Sequence, residues 1–430
     1  LDKIKKSDTE ITFVDNFNIT ISRYPKWITH ITFGKKFNKR VDILPQNLTH
    51  LTFGEKFNKP VDNLKPPVCT KCNQSCNCCP NTLTHLTFGE NFSQPVDNLP
   101  DSLTHLTFGK NFSYPIDNLP KGLTHLEFSS ESIFNYPIDN LPSSLVSLKF
   151  VDDCKFSQPI NNLPPNLEYL ELRDDFNFPV DNLPKSLVEL YLGHEFTQTV
   201  DNLPENLKEL TFLCYFNNPV DNLPKSLIRL DFGYVSQFSQ RVDCLPNSLI
   251  KLYFGEKFNQ PVDNLPSNLL ELEFGDEFNQ RVDNLPSSLK KLTFGIMFSQ
   301  SVDMLPASLK YLSVSNKFNQ PVDLLPNSLT HLDLINFDFA QSIDNLPNSL
   351  THLKIACDKI NSINNLPPNL THLFLTNYEN KIIKKIPETI QQIIVETNEA
   401  KNLLPKKFHK ITKLSNYLDE ENLKEFEYDI

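Results

Sequence analysis

The chain has 430 residues, 33 of them Phe and 32 Pro but only one Trp and two Met, with a formal net charge of −11 and a pI near 5.4. Single-core domains stop growing near ~250–300 residues, so a chain this long is either several domains or a repeat array, and its reuse of few residue types points to the array. The acidic balance argues against a nucleic-acid binder, which needs a basic stripe; no apolar run approaches the ~18 residues of a membrane span, and the N-terminus does not resemble a signal peptide.

Residues 1–10 are polar and read as a cap or linker, after which Ile11, Phe13, Phe17 and Ile21 begin a pattern. A proline, usually preceded by Leu, then recurs from Pro25 to Pro387. Of the seventeen intervals twelve are 20 residues, three are 22, one is 21 and one is 35. Self-similarity at such a period is the signature of a stacked-repeat architecture. A representative unit, residues 265–284, reads Leu-Pro-Ser-Asn-Leu-Leu-Glu-Leu-Glu-Phe-Gly-Asp-Glu-Phe-Asn-Gln-Arg-Val-Asp-Asn.

Within it Leu269, Leu272 and Phe274 have the L-x-x-L-x-L spacing of a leucine-rich repeat. Alternation predicts a short strand that buries Leu272 and Phe274 and turns Glu271 and Glu273 outward. Phe278, Val282 and Leu285 return the chain to the core. A proline before the Val, as in Pro261-Val262, cannot sit inside a helix, so the return leg is extended or turn-like. One coil cannot bury its own apolar face, whereas a stack of coils can. The expected fold over residues 11–390 is a β-rich, leucine-rich-repeat-like solenoid with a curved parallel sheet and one short strand per 20–22-residue repeat. Two columns of Phe are expected in its core, one through Phe254, Phe274 and Phe294, the other through Phe258, Phe278 and Phe298. Nine of the ten glycines directly follow the strand. That turn therefore demands a positive φ or close backbone approach, though Ser129 and Ser315 fill the same place.

The long interval carries an insertion, residues 65–79, with Cys69, Cys72, Cys76, Cys78 and Cys79. Cys69, Cys72, Cys76 and Cys79 are candidate ligands of a structural Zn. Local disulfides, or an excursion with no ligand, are the alternatives. No cofactor is otherwise required. Cys154, Cys214, Cys244 and Cys357 replace different repeat positions and read as ordinary buried or edge residues. After Pro387 the repeat fades, and residues 391–430 read as a C-terminal cap. Residues 388–396 supply one last strand, and Tyr417–Tyr428 has helical character.

The outward strand positions form columns about 4.8 Å apart from coil to coil. Eight of the ten histidines lie in one of them: His30, His50, His85, His105, His125, His331, His352 and His372. That column is either a metal or pH-sensing ladder or the imprint of repeat duplication, which is the simpler reading. In mid-array it gives way to Tyr169, Glu189, Glu209, Arg229, Lys251, Glu271 and Lys291. Two residues on, Thr gives way to Glu171, Tyr191, Asp231, Tyr253 and Glu273. Tyr and Arg are favoured at interface hot spots, so these twelve positions are the candidate partner-binding face.

The words F-N-x-P-V and L-P-x-S-L-T-H-L-x-F-G resemble the FNIP repeat, with Phe258-Asn259-Gln260-Pro261-Val262 and Phe318-Asn319-Gln320-Pro321-Val322 as clear instances. The resemblance covers about residues 11–390. FNIP repeats are similar to leucine-rich repeats and abound in amoebae and in the giant DNA viruses that infect them. Arrays of that family often follow an F-box, which recruits a ubiquitin ligase while the repeats bind a target. No F-box is visible here, and one would lie upstream of Leu1. The resemblance implies a non-enzymatic protein-interaction scaffold, the target-binding part of a ubiquitin-ligase adaptor in the host or cell cytoplasm. The alternative is a structural virion or surface protein that can self-associate, suggested by sequons such as Asn18-Ile19-Thr20 and Asn369-Leu370-Thr371. No Ser/His/Asp or Cys/His set suggests catalysis.

Overall fold

The alternation in each repeat places a strand of three to five residues at the same point of successive coils. The computed structural model describes residues 8–65, 82–336, 338–356, 359, 362–363, 365–375, 382–383 and 385–414. The chain divides into two units, Leu1–Leu213 and Cys214–Ile430, each a parallel β-solenoid of the leucine-rich-repeat type.

The first unit carries β1 (Glu10–Thr12), β2 (His30–Thr32), β3 (His50–Thr52), β4 (His85–Thr87) and β5 (His105–Phe108). It continues with β6 (His125–Phe128), β7 (Ser147–Phe150), β8 (Tyr169–Leu172), β9 (Glu189–Leu192) and β10 (Glu209–Phe212). The second carries β11 (Arg229–Asp231), β12 (Lys251–Tyr253), β13 (Glu271–Glu273), β14 (Lys291–Thr293), β15 (Tyr311–Ser315), β16 (His331–Ile335) and β17 (His352–Ala356). After them come β18 (Ser362–Ile363), β19 (His372–Leu375), β20 (Ile382–Ile383), β21 (Gln392–Val395), α1 (Asn398–Leu403) and β22 (Thr412–Leu414). Within each unit neighbouring strands pair parallel and in register, so that His50 lies beside His85 and Leu252 beside Leu272. β18 and β20 form a small second ladder on the return leg.

The core is built from side chains that stack on their own copies. In the second unit Phe254, Phe274 and Phe294 follow one another at ring separations of 5.6 and 5.5 Å, and Phe258, Phe278 and Phe298 at 6.1 and 6.2 Å. The two columns meet within each coil, Phe274 lying 3.7 Å from Phe278. Burying each such ring contributes roughly 1.5–3 kcal/mol. The strand column admits Leu172 and Leu192 in the first unit and Val314, Leu334 and Ile355 in the second, all fully buried.

The polar letters of the repeat also bond to the coil before. The Asn of F-N-Q accepts the next coil's return-leg amide: Asn279 N donates to Asn259 Oδ1 at 3.0 Å, and Ser299 N to Asn279 Oδ1 at 3.0 Å. The Asn of V-D-N donates to the preceding Asp, as Asn284 does to Asp263 at 3.0 Å. The Ser of L-P-x-S donates to the preceding Leu carbonyl, as Ser288 does to Leu269 at 2.6 Å. A return leg without a sheet ladder leaves backbone amides without partners, and the Asn of F-N-Q accepts from them. The Ser bond satisfies a carbonyl just before the strand, and the Asn–Asp bond ties side chain to side chain.

Close approach, more than positive φ, explains the glycines. A Cβ on Gly275 would stand 2.1 Å from the carbonyl oxygen of Gly255, and among the glycines Gly233 has a positive φ, 71°. The three 22-residue coils take up their extra residues in the same turn, each through one left-handed residue: Glu131 (φ 59°), Asp153 (φ 62°) and Gly233. Where Arg173 replaces the glycine, the next residue, Asp174, becomes left-handed (φ 46°).

The predicted last strand is present as β21, and the chain continues through α1 to β22, which pairs parallel with β21. Thr397 caps α1, accepting from Ala400 N at 3.0 Å. The helical expectation for Tyr417–Tyr428 lies outside the described residues. No helix among the described residues is long and apolar enough to cross a membrane.

Phe278→Ala is expected to cost about 3–5 kcal/mol, and Gly275→Val about 1–3 kcal/mol. Urea unfolding followed by far-UV circular dichroism checks both.

Candidate functional site

The first strand position that faces away from the Phe core repeats His toward both ends of the sequence and diverges in between. In the first unit the histidine column is a stack. Ring centroids of His30, His50, His85, His105 and His125 follow one another at 4.1 Å. Each Nδ1 lies 2.8–2.9 Å from the hydroxyl of the preceding Thr. A second stack in the other unit joins His331, His352 and His372 at 4.2 and 4.3 Å. Burial, with the adjacent rings adding to it, pushes His105 down to about 4 and His352 to about 3. Among the described residues no group of three or more His, Cys, Asp or Glu is placed to hold a metal ion.

Beyond the first stack the face becomes aromatic and charged. Tyr169 OH donates to Glu171 Oε2 at 2.9 Å, and Arg173 Nε to Glu171 Oε1 at 2.6 Å. Arg173 also reaches Asp152 at 3.1 Å. Lys149 stands over the Tyr169 ring at 4.6 Å, and Tyr191 leans on it at 5.3 Å. Burial first, and the Glu171 charge second, push the Tyr169 phenol up. Glu189 and Glu209 lie in register with Tyr169, in the column that continues the histidines, and are half-buried.

The second unit builds a comparable chain of contacts. Arg229 pairs with Asp231 at 2.7 Å and sits 5.2 Å over Tyr253. Asp231 accepts from Gly233 N at 2.8 Å. Glu271 is outward-facing, as alternation predicts, yet it is only 7% exposed because Lys251 and Lys291 cover it at 3.1 and 3.0 Å. Glu273 remains exposed. Of the twelve residues singled out from the sequence, Tyr169 touches Glu171 and Tyr191 in the first unit, and in the second Arg229 touches Asp231 and Tyr253 while Lys251 and Lys291 hold Glu271. Glu189 and Glu209 share the column by register, and Glu273 stands exposed. Three further residues were not singled out. Tyr311 OH donates to Asp333 Oδ2 at 2.8 Å, and Lys354 lies one coil beyond. Burial pushes Asp333 up to about 6, against the opposing pull of Lys354 and the Tyr311 hydrogen bond. The signal available was an Asp and a Lys in the Thr column of consecutive coils; nothing in the spacing distinguished them from solvated residues.

The cysteines of the insertion, Cys69, Cys72, Cys76 and Cys79, lie outside the described residues. Cys154 is buried, which pushes its thiol up to about 12, while Cys244 is exposed.

A family model described as FNIP Repeat matches residues 16–56, 73–111, 95–131, 115–153, 156–195, 198–235, 239–264, 258–296, 298–337 and 337–378. Among solved structures, the chain is similar to CroV588, described as a novel circular LRR protein, at 38% identity and a TM-score of 0.72. The match covers 87% of this chain but only 57% of that one. It is also similar in fold to YopM from Yersinia enterocolitica WA-314, at 21% identity and a TM-score of 0.52, over 91% and 92% of the two chains. No curated protein matches.

Burial works to raise the Glu271 carboxyl, but hydrogen bonds from Lys291 and Lys251 override it and hold the group below its ordinary value. A carboxylate held down in this way adds stability above the ordinary value of about 4.3, and the gain is lost as pH falls through the folded value. Glu271→Gln is therefore expected to cost about 1 kcal/mol at neutral pH and progressively less in acid, as read by urea unfolding at several pH values.

Proposed function

The chain belongs to the FNIP-repeat family, and from that premise we propose that it is a non-enzymatic protein-interaction scaffold whose strand face takes a protein partner. The observation that carries the reading is the interlinked Tyr, Glu, Arg and Lys surface of the mid-array. Tyr169 and Tyr191 touch each other, and the charges beside them are already paired within the face. Pre-paired charges need less rearrangement when a partner dries the surface, and aromatic side chains with few rotatable bonds are efficient anchors. In the second unit Arg229, Asp231, Lys251, Tyr253, Glu271, Glu273 and Lys291 are the proposed counterparts.

The finer proposal makes this the target-binding part of an F-box-type ubiquitin-ligase adaptor acting in the cytoplasm. It rests on the family's common arrangement. The alternative is a virion or surface structural protein. Its support is the sequons, among which Asn18, Asn47 of Asn47-Leu48-Thr49, Asn91 of Asn91-Phe92-Ser93 and Asn369 are exposed. A structural zinc held by Cys69, Cys72, Cys76 and Cys79 remains a separate proposal, tested by metal content of the native protein before and after thiol alkylation.

Cross-linking of the chain in extract of its native cell, with mass spectrometry of the linked peptides, tests the binding face. Links are expected beside Tyr169, Tyr191, Lys251 and Tyr253, and truncating a hot-spot Tyr to Ala weakens capture by about thirtyfold, equivalent to roughly 2 kcal/mol. Links confined to the return legs, with the Tyr variants captured like the parent, would overturn it. Intact mass and peptide mapping of the native protein then separate the finer readings: an F-box with unmodified sequons supports the adaptor, and glycans or disulfides support the structural protein.

A further inference from the structure

The histidine stack of the first unit shares one hydrogen-bond relay, and that relay fixes the tautomer. A Thr hydroxyl has one proton to give. Thr49, Thr104 and Thr124 give it to the carbonyl oxygens of the preceding coil's Thr, at 3.0, 3.1 and 3.0 Å. The same hydroxyls lie 2.8–2.9 Å from Nδ1 of His50, His105 and His125, so they accept there and each Nδ1 carries a hydrogen. A neutral ring in that state leaves Nε2 as a bare acceptor. Protonating Nε2 would place a cation 4.1 Å from the ring on either side.

The neighbouring strands offer little compensation. Glu10 of β1 lies beside His30 at one end, and Glu127 of β6 and Lys149 of β7 stand at the other. Lys149 opposes protonation of His125. Between those ends the strands present only Thr and His outward.

We infer that this column is an acid-sensitive spine of the strand face, a stack of neutral Nδ1–H rings at neutral pH that acidification forces apart by placing like charges on adjacent rings. A partner held on this face would be released in acid. That consequence rests on the strand face being the binding face; the spine itself does not.

The sign follows from linkage. An unfolded histidine takes its proton near pH ~6.5, whereas burial first and the adjacent rings second hold His105 down to about 4. Over that range the unfolded chain binds more protons than the folded one, so stability falls as pH falls.

The test is nitrogen NMR of the full chain labelled with 15N-histidine, with rings assigned by His85→Gln and His105→Gln. At neutral pH the inner rings are expected to show protonated Nδ1 and bare Nε2, with His105 keeping that state until the pH nears about 4. The thermal midpoint of the parent should also fall more between pH ~6.5 and ~5 than that of the H85Q/H105Q double variant. Inner rings that titrate near pH ~6.5 in the folded parent, or that carry the proton on Nε2, would overturn the inference. The spectra of the parent alone decide the matter if the double variant does not fold.

Discussion

Parallel pairing of short strands in strict register sets the terms for everything else in each unit. Register brings every residue to its own counterpart one coil away, about 4.8 Å along the stack. A side chain at a repeat position must therefore tolerate a copy of itself, or of its replacement, directly above and below. Phe does so by offset stacking, Asn by accepting the next coil's amide, and Gly by having no Cβ where backbones nearly touch. The repeat word is best understood as a list of groups that can be stacked on themselves.

The same constraint makes the outward columns unusual chemical objects. Burial alone already lowers a half-buried histidine; stacked at 4.1 Å, its protonation depends on its neighbours as well. A lone surface Glu would be solvated, but Glu271 between Lys251 and Lys291 is nearly covered. Where a column changes residue type, as from His125 to Ser147 and Tyr169, the self-stacking ends and cross-column contacts replace it. Arg173 reaching back to Glu171 and Asp152 is such a contact. Repeat proteins place their recognition on regular frameworks of this kind, and divergence within a column is how one framework comes to present a particular surface.

Departures from the repeat length are absorbed without loss of register. The two extra residues of the coils around Glu131, Asp153 and Gly233 are confined to the turn after the strand, where one left-handed residue redirects the chain. Cys154 then fills the core beside that turn, fully buried. Strand and return leg keep their spacing, so Phe134 still stacks on Phe112 at 6.0 Å. The turn after the strand is one place where the array varies in length; the 35-residue interval carries its insertion elsewhere in the repeat, at residues 65–79.

Composition, period and the L-x-x-L-x-F spacing determined the solenoid, its strand positions and its two Phe columns, because burial of a repeated apolar pattern admits few solutions. They also located the outward columns, since alternation alone assigns a face. What they could not supply were relations that depend on distances between coils. Gly275 needed its neighbour's carbonyl oxygen to reveal close approach as the cause. The Asn and Ser of the repeat word needed their partners twenty residues away to become intelligible. Glu271 read as solvent-facing until two lysines from flanking strands covered it, and Asp333 and Lys354 passed as surface residues until burial and Tyr311 were in place. The direction a side chain points is a local property of the strand; what covers it once it points there belongs to the packing of the stack.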